Sequence, residues 1–348
     1  MEKKRSINID LVKIIAVFSV ISVHFFANTG FYDKNIGGLD TYIMVLFRTI
    51  FMICVPLFMI TTGYLMKNKK ISKKYYVGIF RVLITYFLIA LIYLFYHCFY
   101  LKEATFSAQY IISSILRFDI GYRWYIEMYI GMFLIIPFIN LIYNNLTTKK
   151  HKQLLILTML VLTAFPGLLN AKYSLLADWW INLYPITYYF FGCYINEYKP
   201  KIGKLKNIIL LVITLIVSVS INILISNGNT FVRDVHNDWG SIFNVLTALL
   251  VFIFVINLNL ENVNKSISKI IMKISELSLG MYLASSIVDN YIYFNVLEKF
   301  SSCNFISYII KVPLVIILSF LISLVINLLY QIINKYIIER IIKHFYMV

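Results

Sequence analysis

Apolar runs of about 20 residues recur along this chain from Ile9 onward, separated by short polar connections rich in lysine. A helix needs ~20 such residues to cross ~30 Å of hydrocarbon, so the runs read as membrane spans. We place about ten, near residues 9–29, 41–66, 78–100, 125–145, 153–170, 180–196, 207–226, 241–259, 277–296 and 305–333. With 60% of 348 residues hydrophobic, 14% charged and a mean hydropathy of +0.79, a water-soluble globular domain is excluded. The expected fold is all-α, a polytopic transmembrane helical bundle in a cell membrane. Residues 1–348 form its single transmembrane domain, with no internal repeat and no appended soluble domain. The opening MEKKRSINID is basic, as in a signal peptide, but the run behind it holds Lys13 and His24 and lacks a small-residue cleavage site. It reads as a retained first span.

The net charge of +16 raises the question of nucleic acid. The basic residues, however, punctuate apolar runs instead of gathering in one polar domain, and membrane topology accounts for them without a nucleic-acid partner. With the N-terminus inside, 21 of the 32 lysines and arginines fall on the cytoplasmic side, in both termini and in clusters such as Lys67–Lys74, Lys149–Lys152, Lys199–Lys206 and Lys265–Lys273. That is the bias expected of cytoplasmic loops. Asp33, Asp40, Glu103, Asp119, Asp178, Asp234, Asp238 and Glu298 fall on the outer side, as do Trp124, Trp179, Trp180 and Trp239. The tryptophans read as an aromatic belt or as part of an outward sugar-binding surface. Cys54, Cys98, Cys193 and Cys303 have no CxxC spacing, so neither a disulfide framework nor a metal site is expected.

Ionisable residues within spans are costly and mark function by default. They are Asp10, Lys13, His24, Arg48, Arg81, His97, Glu127, Asp289 and Lys311. Lys13 and His24 are eleven residues apart, which at 100° per residue leaves them about 20° apart around the helix and about 16 Å apart along it. Asp10 falls within about 40° of His24 on the same stripe. Lys13 lies toward the cytoplasmic end and His24 in the outer half. Structural alternatives exist for each: Asp10 suits a helix N-terminus, Lys13 can snorkel to headgroups, and His24 can bond a neighbouring helix. Arg48 and Glu127 could form an interhelical ion pair. Lys265, Lys269 and Lys273, four apart, make a basic stripe for anionic headgroups or coenzyme A phosphates.

The stretch IDLVKIIAVFSVISVHF, Ile9 to Phe25, resembles the first helix of the acyltransferase family 3 membrane proteins, which acylate cell-surface glycans. Their signature is an arginine, ten residues, then a histidine, often preceded by an aspartate; here Lys13 takes the arginine position. CVPLFMITTGYLMKNKK, from Cys54, is similar to the family's VPLFF-ISGYL helix, with Gly63 and Tyr64 retained. Arg81 resembles a family arginine at the cytoplasmic face, although Gly78 stands where a second is often found. RWYIEMYIGMFLIIPFIN, from Arg123, resembles the HLWFL helix with Tyr122 at the histidine position, and SELSLGMYLASS, from Ser275, resembles SLGIYLIH with Ser285 at its histidine.

The resemblance implies O-acyl transfer, most simply of acetyl from acetyl-CoA, to a surface polysaccharide or its lipid-linked precursor. His24, Lys13 and Asp10 would form the catalytic stripe. Arg81, Gly63 and Tyr64 would serve the donor, and Trp124, Glu127 and Arg48 the acceptor, with membrane lipids and a second copy of the chain as further partners. Lysine for arginine keeps the charge but loses the planar fork. The alternative from a different class is a transporter or flippase for a lipid-linked glycan or small polar substrate, using the same intramembrane charges and motivated by the ten spans and the missing soluble domain.

Overall fold

The computed structural model describes residues 5–102, 105, 107–116, 124–170, 174–300 and 312–331. Glu103, Asp119, Tyr122, Arg123, Cys303 and Lys311, singled out above, lie outside them, as does the side chain of Glu298. The helices are α1 Ile7–Asn28, α2 Leu39–Phe51, α3 Cys54–Met66, α4 Lys73–Val77, α5 Ile79–Phe95, α6 Ala108–Leu116 and α7 Trp124–Asn145. They continue with α8 Lys149–Thr163, α9 Pro166–Leu169, α10 Tyr184–Tyr198, α11 Lys204–Ser226, α12 Ile242–Ile256 and α13 Lys265–Phe300, then α14 Val312–Gln331. Among the described residues, β-structure is confined to an isolated bridge between Asn35 and Thr230.

Seven segments are long and apolar enough to cross a membrane alone, and all seven fall on expected spans. The other three expected spans are also helical, but α8, α10 and α12 have 15 residues each. At 1.5 Å per residue each is only about 22 Å long. Local chemistry sets many of the ends. Ser72, Thr148 and Ser241 cap α4, α8 and α12 by accepting backbone N–H bonds from Tyr75, His151 and Asn244. Asn227, at φ 45°, ends α11 in the left-handed conformation and turns the chain into the loop that follows. The span expected at 41–66 is broken at Met52 and Ile53. Pro56 has no N–H to offer the Met52 carbonyl four residues back, so α2 stops and α3 begins anew. The span expected at 277–296 is instead longer than expected: α13 begins at Lys265, so the basic stripe expected in a loop lies on a helix.

Two compact units are present. The first comprises Met1–Ile71 and Ile135–Ser275, the second Ser72–Leu134 and Glu276–Val348. In the first, α3 is the centre, packed against α1, α10 and α12. Its contact with α10 is backbone on backbone. A Cβ on Gly63 would collide with the Tyr189 carbonyl, and one on Gly192 with the Ile60 carbonyl, which is the small-residue packing of membrane helices. On α11 the buried residues are Asn207, Ser218, Asn222 and Ser226, while its leucines and isoleucines face outward. Polar inside and apolar outside is the arrangement lipid requires.

A proline in α7 determines a tertiary bond in the second unit. Pro137 sits inside α7 and leaves the Phe133 carbonyl without its helical donor; the Tyr75 hydroxyl supplies one at 2.6 Å, with the two rings stacked at 4.4 Å. Tyr75→Phe should therefore cost about 1–3 kcal/mol by stranding that carbonyl. In a Pro137→Ala background, where the helix donates again, the same change should cost little, and thermal unfolding of the four purified proteins measures the difference.

Candidate functional site

The polar stripe of α1 is anchored at its N-terminal end by a residue that the sequence alone did not single out. Asp10, 3% exposed, accepts from Arg5 Nε at 2.7 Å and Arg5 Nη2 at 2.9 Å, a two-pronged ion pair. Ser275 Oγ donates to the same carboxylate at 2.6 Å, and Arg5 also donates to the Met272 carbonyl at 2.8 Å. Asn8 caps α12 through the Val255 and Leu258 carbonyls, each at 2.9 Å. Charge-assisted bonds of this length are the strong kind. Together they fix the start of α1 against α12 and the start of α13. Lys13, one turn along, and His24 are both half-buried, and α1 is continuous between them. The helix therefore holds the ammonium and the imidazole on one stripe, about 16 Å apart along the axis.

Gly63 and Tyr64 have a packing role. The Cα face of Gly63 is closed by α10, and the Tyr64 carbonyl accepts from Asn196 Nδ2 at 2.9 Å. Beside them Asn140 donates to the Met66 and Lys69 carbonyls at 2.8 and 2.9 Å and accepts from the Tyr189 hydroxyl at 2.7 Å. Glu197 pairs with Lys152 at 2.7 Å and Lys67 at 3.3 Å. The C-terminal end of α3 is held by side chains from α7, α8 and α10.

Toward the C-terminal end of α1, Arg48 is buried in α2. Its contacts lie within the first unit: Nη1 donates to the Asn237 carbonyl at 3.0 Å, Nε to the Tyr32 hydroxyl at 3.3 Å, and its guanidinium covers the Phe231 ring at 4.7 Å. The loop from Asn227 to Ser241 is thereby strapped down. Asn237 Nδ2 donates to Asn222 Oδ1 at 2.9 Å and to the Val232 carbonyl at 2.8 Å, and the Asn229 carbonyl accepts from Ile36 N at 2.8 Å. Phe26, two residues past His24, meets Phe31 edge-on at 5.4 Å, and Phe31 meets Phe231 at 5.3 Å. The loop thus packs against the end of α1 that carries the imidazole.

His236 in that loop lies 3.0 Å from the Asn237 amide nitrogen and 3.5 Å from the Asp234 carboxylate. Burial pushes its imidazole below the ordinary value, Asp234 pulls the other way, and Arg48 adds to the lowering. An unfolded chain takes up this proton near pH ~6.5 and the folded protein only below that. The stability is complete above the unfolded value and is lost as the pH falls through the folded one. The unfolding temperature should accordingly drop between about pH 7.5 and pH 5, and His236→Gln should flatten that part of the profile.

The second unit holds the remaining candidates. Arg81 is exposed on the first turn of α5. Trp124, half-buried, begins α7 with its ring edge-on to Tyr125 at 6.0 Å, and Glu127 is exposed in the same first turn, where its charge suits the helix dipole. His97 stacks on Tyr93 at 4.3 Å, and Asp289 is fully buried on α13 with Ser285 and Ser286. Ser319, Ser323 and Asn327, also fully buried, form a polar column on α14 that the sequence reading passed over. Its one available signal was the spacing of four between polar residues in an apolar run. Among the described residues no group of His, Cys, Asp or Glu is placed to hold a metal ion.

The model of the acyltransferase 3 family, described as an acyltransferase domain, matches residues 6–328. No curated protein and no solved structure matches the chain.

Proposed function

Because the chain belongs to the acyltransferase 3 family and is a multi-pass membrane acyltransferase, we propose that it O-acylates a cell-surface glycan. The donor would be an acyl-CoA, acetyl-CoA in the first instance, on the cytoplasmic side of the cell membrane. The acceptor would be a hydroxyl of an extracytoplasmic polysaccharide or of its lipid-linked precursor. The observation that carries this reading is the polar stripe on α1, with a cation near the helix start and an imidazole near its end; we place the first toward the cytoplasm and the second toward the outside.

In this scheme Lys13 holds the anionic part of the donor, and the Arg5–Asp10–Ser275 cluster keeps α1 at one depth and rotation. His24 takes the proton of the acceptor hydroxyl as its oxygen bonds to the thioester carbonyl carbon. The C–S bond then breaks, and the proton passes to the departing thiolate. Transient transfer of the acyl group to the imidazole nitrogen is the two-step version of the same chemistry. Arg81 is proposed as a further cation for the donor, and Trp124 and Glu127 as acceptor contacts. Gly63 serves by letting α3 and α10 touch.

Cells with and without the gene, compared by the alkali-labile acyl content of each surface polymer, test the reading. One polymer should lose its acyl ester in the deletion strain and regain it on complementation. If every polymer is unchanged while transport of a lipid-linked or polar solute is lost, the protein moves a substrate and does not acylate one.

A further inference from the structure

Two arginines meet on one tyrosine at the outer face of the first unit. Arg48, 4% exposed, donates Nε to the Tyr32 hydroxyl at 3.3 Å, and the guanidinium of Arg233 lies over the same ring at 3.4 Å. Arg233 is exposed at the surface, whereas Arg48 is nine residues into α2 from Leu39, about 14 Å along the helix. Tyr32 joins the two levels. The partners of Arg48 are a carbonyl, a phenol and an aromatic face. Among the described residues neither arginine forms an ion pair, and Asp234, the carboxylate next to Arg233, faces His236.

Taking a guanidinium out of water without an opposite charge is costly, and buried cations are ordinarily paired. Neutral acceptors and aromatic faces offset part of that cost. A purely structural strut between α2 and the outer loop would not need a second arginine on the same ring. Planar, two-pronged donors are the residues suited to carboxylates and phosphates. The aromatic chain Phe26–Phe31–Phe231 connects this cluster to the end of α1, close in sequence to His24.

We propose that Arg48, Arg233 and Tyr32 form a binding site for an oxyanion of the acceptor, so that the glycan acylated by this protein is acidic, bearing a carboxylate or a phosphate. The site rests on the acyl-transfer reading for its purpose, but binding needs no donor and no turnover, so it is tested separately. The full-length protein in phosphatidylcholine nanodiscs is unfolded thermally with sodium glucuronate, glycerol phosphate or inorganic phosphate, against glucose and sodium chloride at matched ionic strength. At least one oxyanion should raise the unfolding temperature in a saturable way that glucose and chloride do not reproduce. Because charged two-pronged contacts dominate such recognition, Arg233→Gln, at an exposed position, should weaken the half-saturating concentration about tenfold. Arg48→Gln should weaken it further, and Arg48→Lys should restore part of it. Glucuronate and phosphate separate a uronic acid from a phosphate-bearing acceptor.

A parallel series in phosphatidylglycerol discs identifies a lipid source. Stabilisation seen only there, and lost in Arg233→Gln, would assign the site to a headgroup and overturn the proposal. So would the absence of any oxyanion-specific shift, or a shift that both arginine variants retain. If the oxyanion binds as expected while the surface glycans carry no ester that depends on the gene, the site stands and the acyl-transfer reading falls.

Discussion

His24→Ala is expected to leave a folded, correctly inserted protein whose acyl transfer is slower by about 10²–10⁴-fold, the usual contribution of a general acid–base group. The fold should tolerate the change because His24 is half-buried and the neighbouring contacts of the outer end are made by Phe25 and Phe26. An imidazole is the side chain suited to exchanging a proton between a hydroxyl and a thiolate near neutral pH. Removing it should therefore lower turnover much more than donor affinity. Lys13→Ala should do the reverse, raising the donor KM with the imidazole in place. If His24→Ala keeps full turnover at normal expression, the stripe is not the reaction centre.

The largest structural effect is expected at Gly192. Any side chain there meets the Ile60 carbonyl and the Tyr64 amide nitrogen, and neither is a flexible end that can move aside. Overpacking a well-packed interface costs about 1–3 kcal/mol even where side chains can adjust, and here two backbones have to separate. Gly192→Leu should remove the folded protein from the membrane fraction, and Gly63→Leu, which faces the Tyr189 carbonyl, should do the same. Gly131→Ala is the control: nothing lies within 4 Å of its added methyl. By helix propensity it should stabilise by up to about 1 kcal/mol. Detergent-solubilised yield and unfolding temperature measure all three.

The difference between what could be read from residues and what needed coordinates follows the range of the interactions. Spans depend on local apolar length, and every expected span proved helical where it is described. The stripe from Asp10 to His24 follows from helical periodicity alone. What stayed hidden depends on partners far apart in the chain. Arg5 lies only five residues from Asp10, but the segment before the first apolar run offers no periodicity. Its further partner Met272 is 267 residues away. Arg48 and Asn237 are separated by 189 residues, and nothing in either apolar pattern marks them as neighbours.

The same holds for Gly63. Its position in a resembling motif suggested donor contact, yet the close approach of α10 explains why that position has no side chain. The start of α13 was hidden for another reason: Lys265, Lys269 and Lys273 are spaced as a helix face, but hydropathy cannot distinguish a polar helix from a loop.

Under the proposed function an acyl group enters from the cytoplasm and leaves on an outward hydroxyl by way of His24. Sealed, right-side-out membrane vesicles loaded inside with radiolabelled acetyl-CoA test it most directly, with unlabelled donor outside to dilute any leakage. The account predicts alkali-labile label on the outward glycan of wild-type vesicles and almost none with His24→Ala. Label that appears only when donor is supplied outside, or that appears equally with His24→Ala, would contradict it.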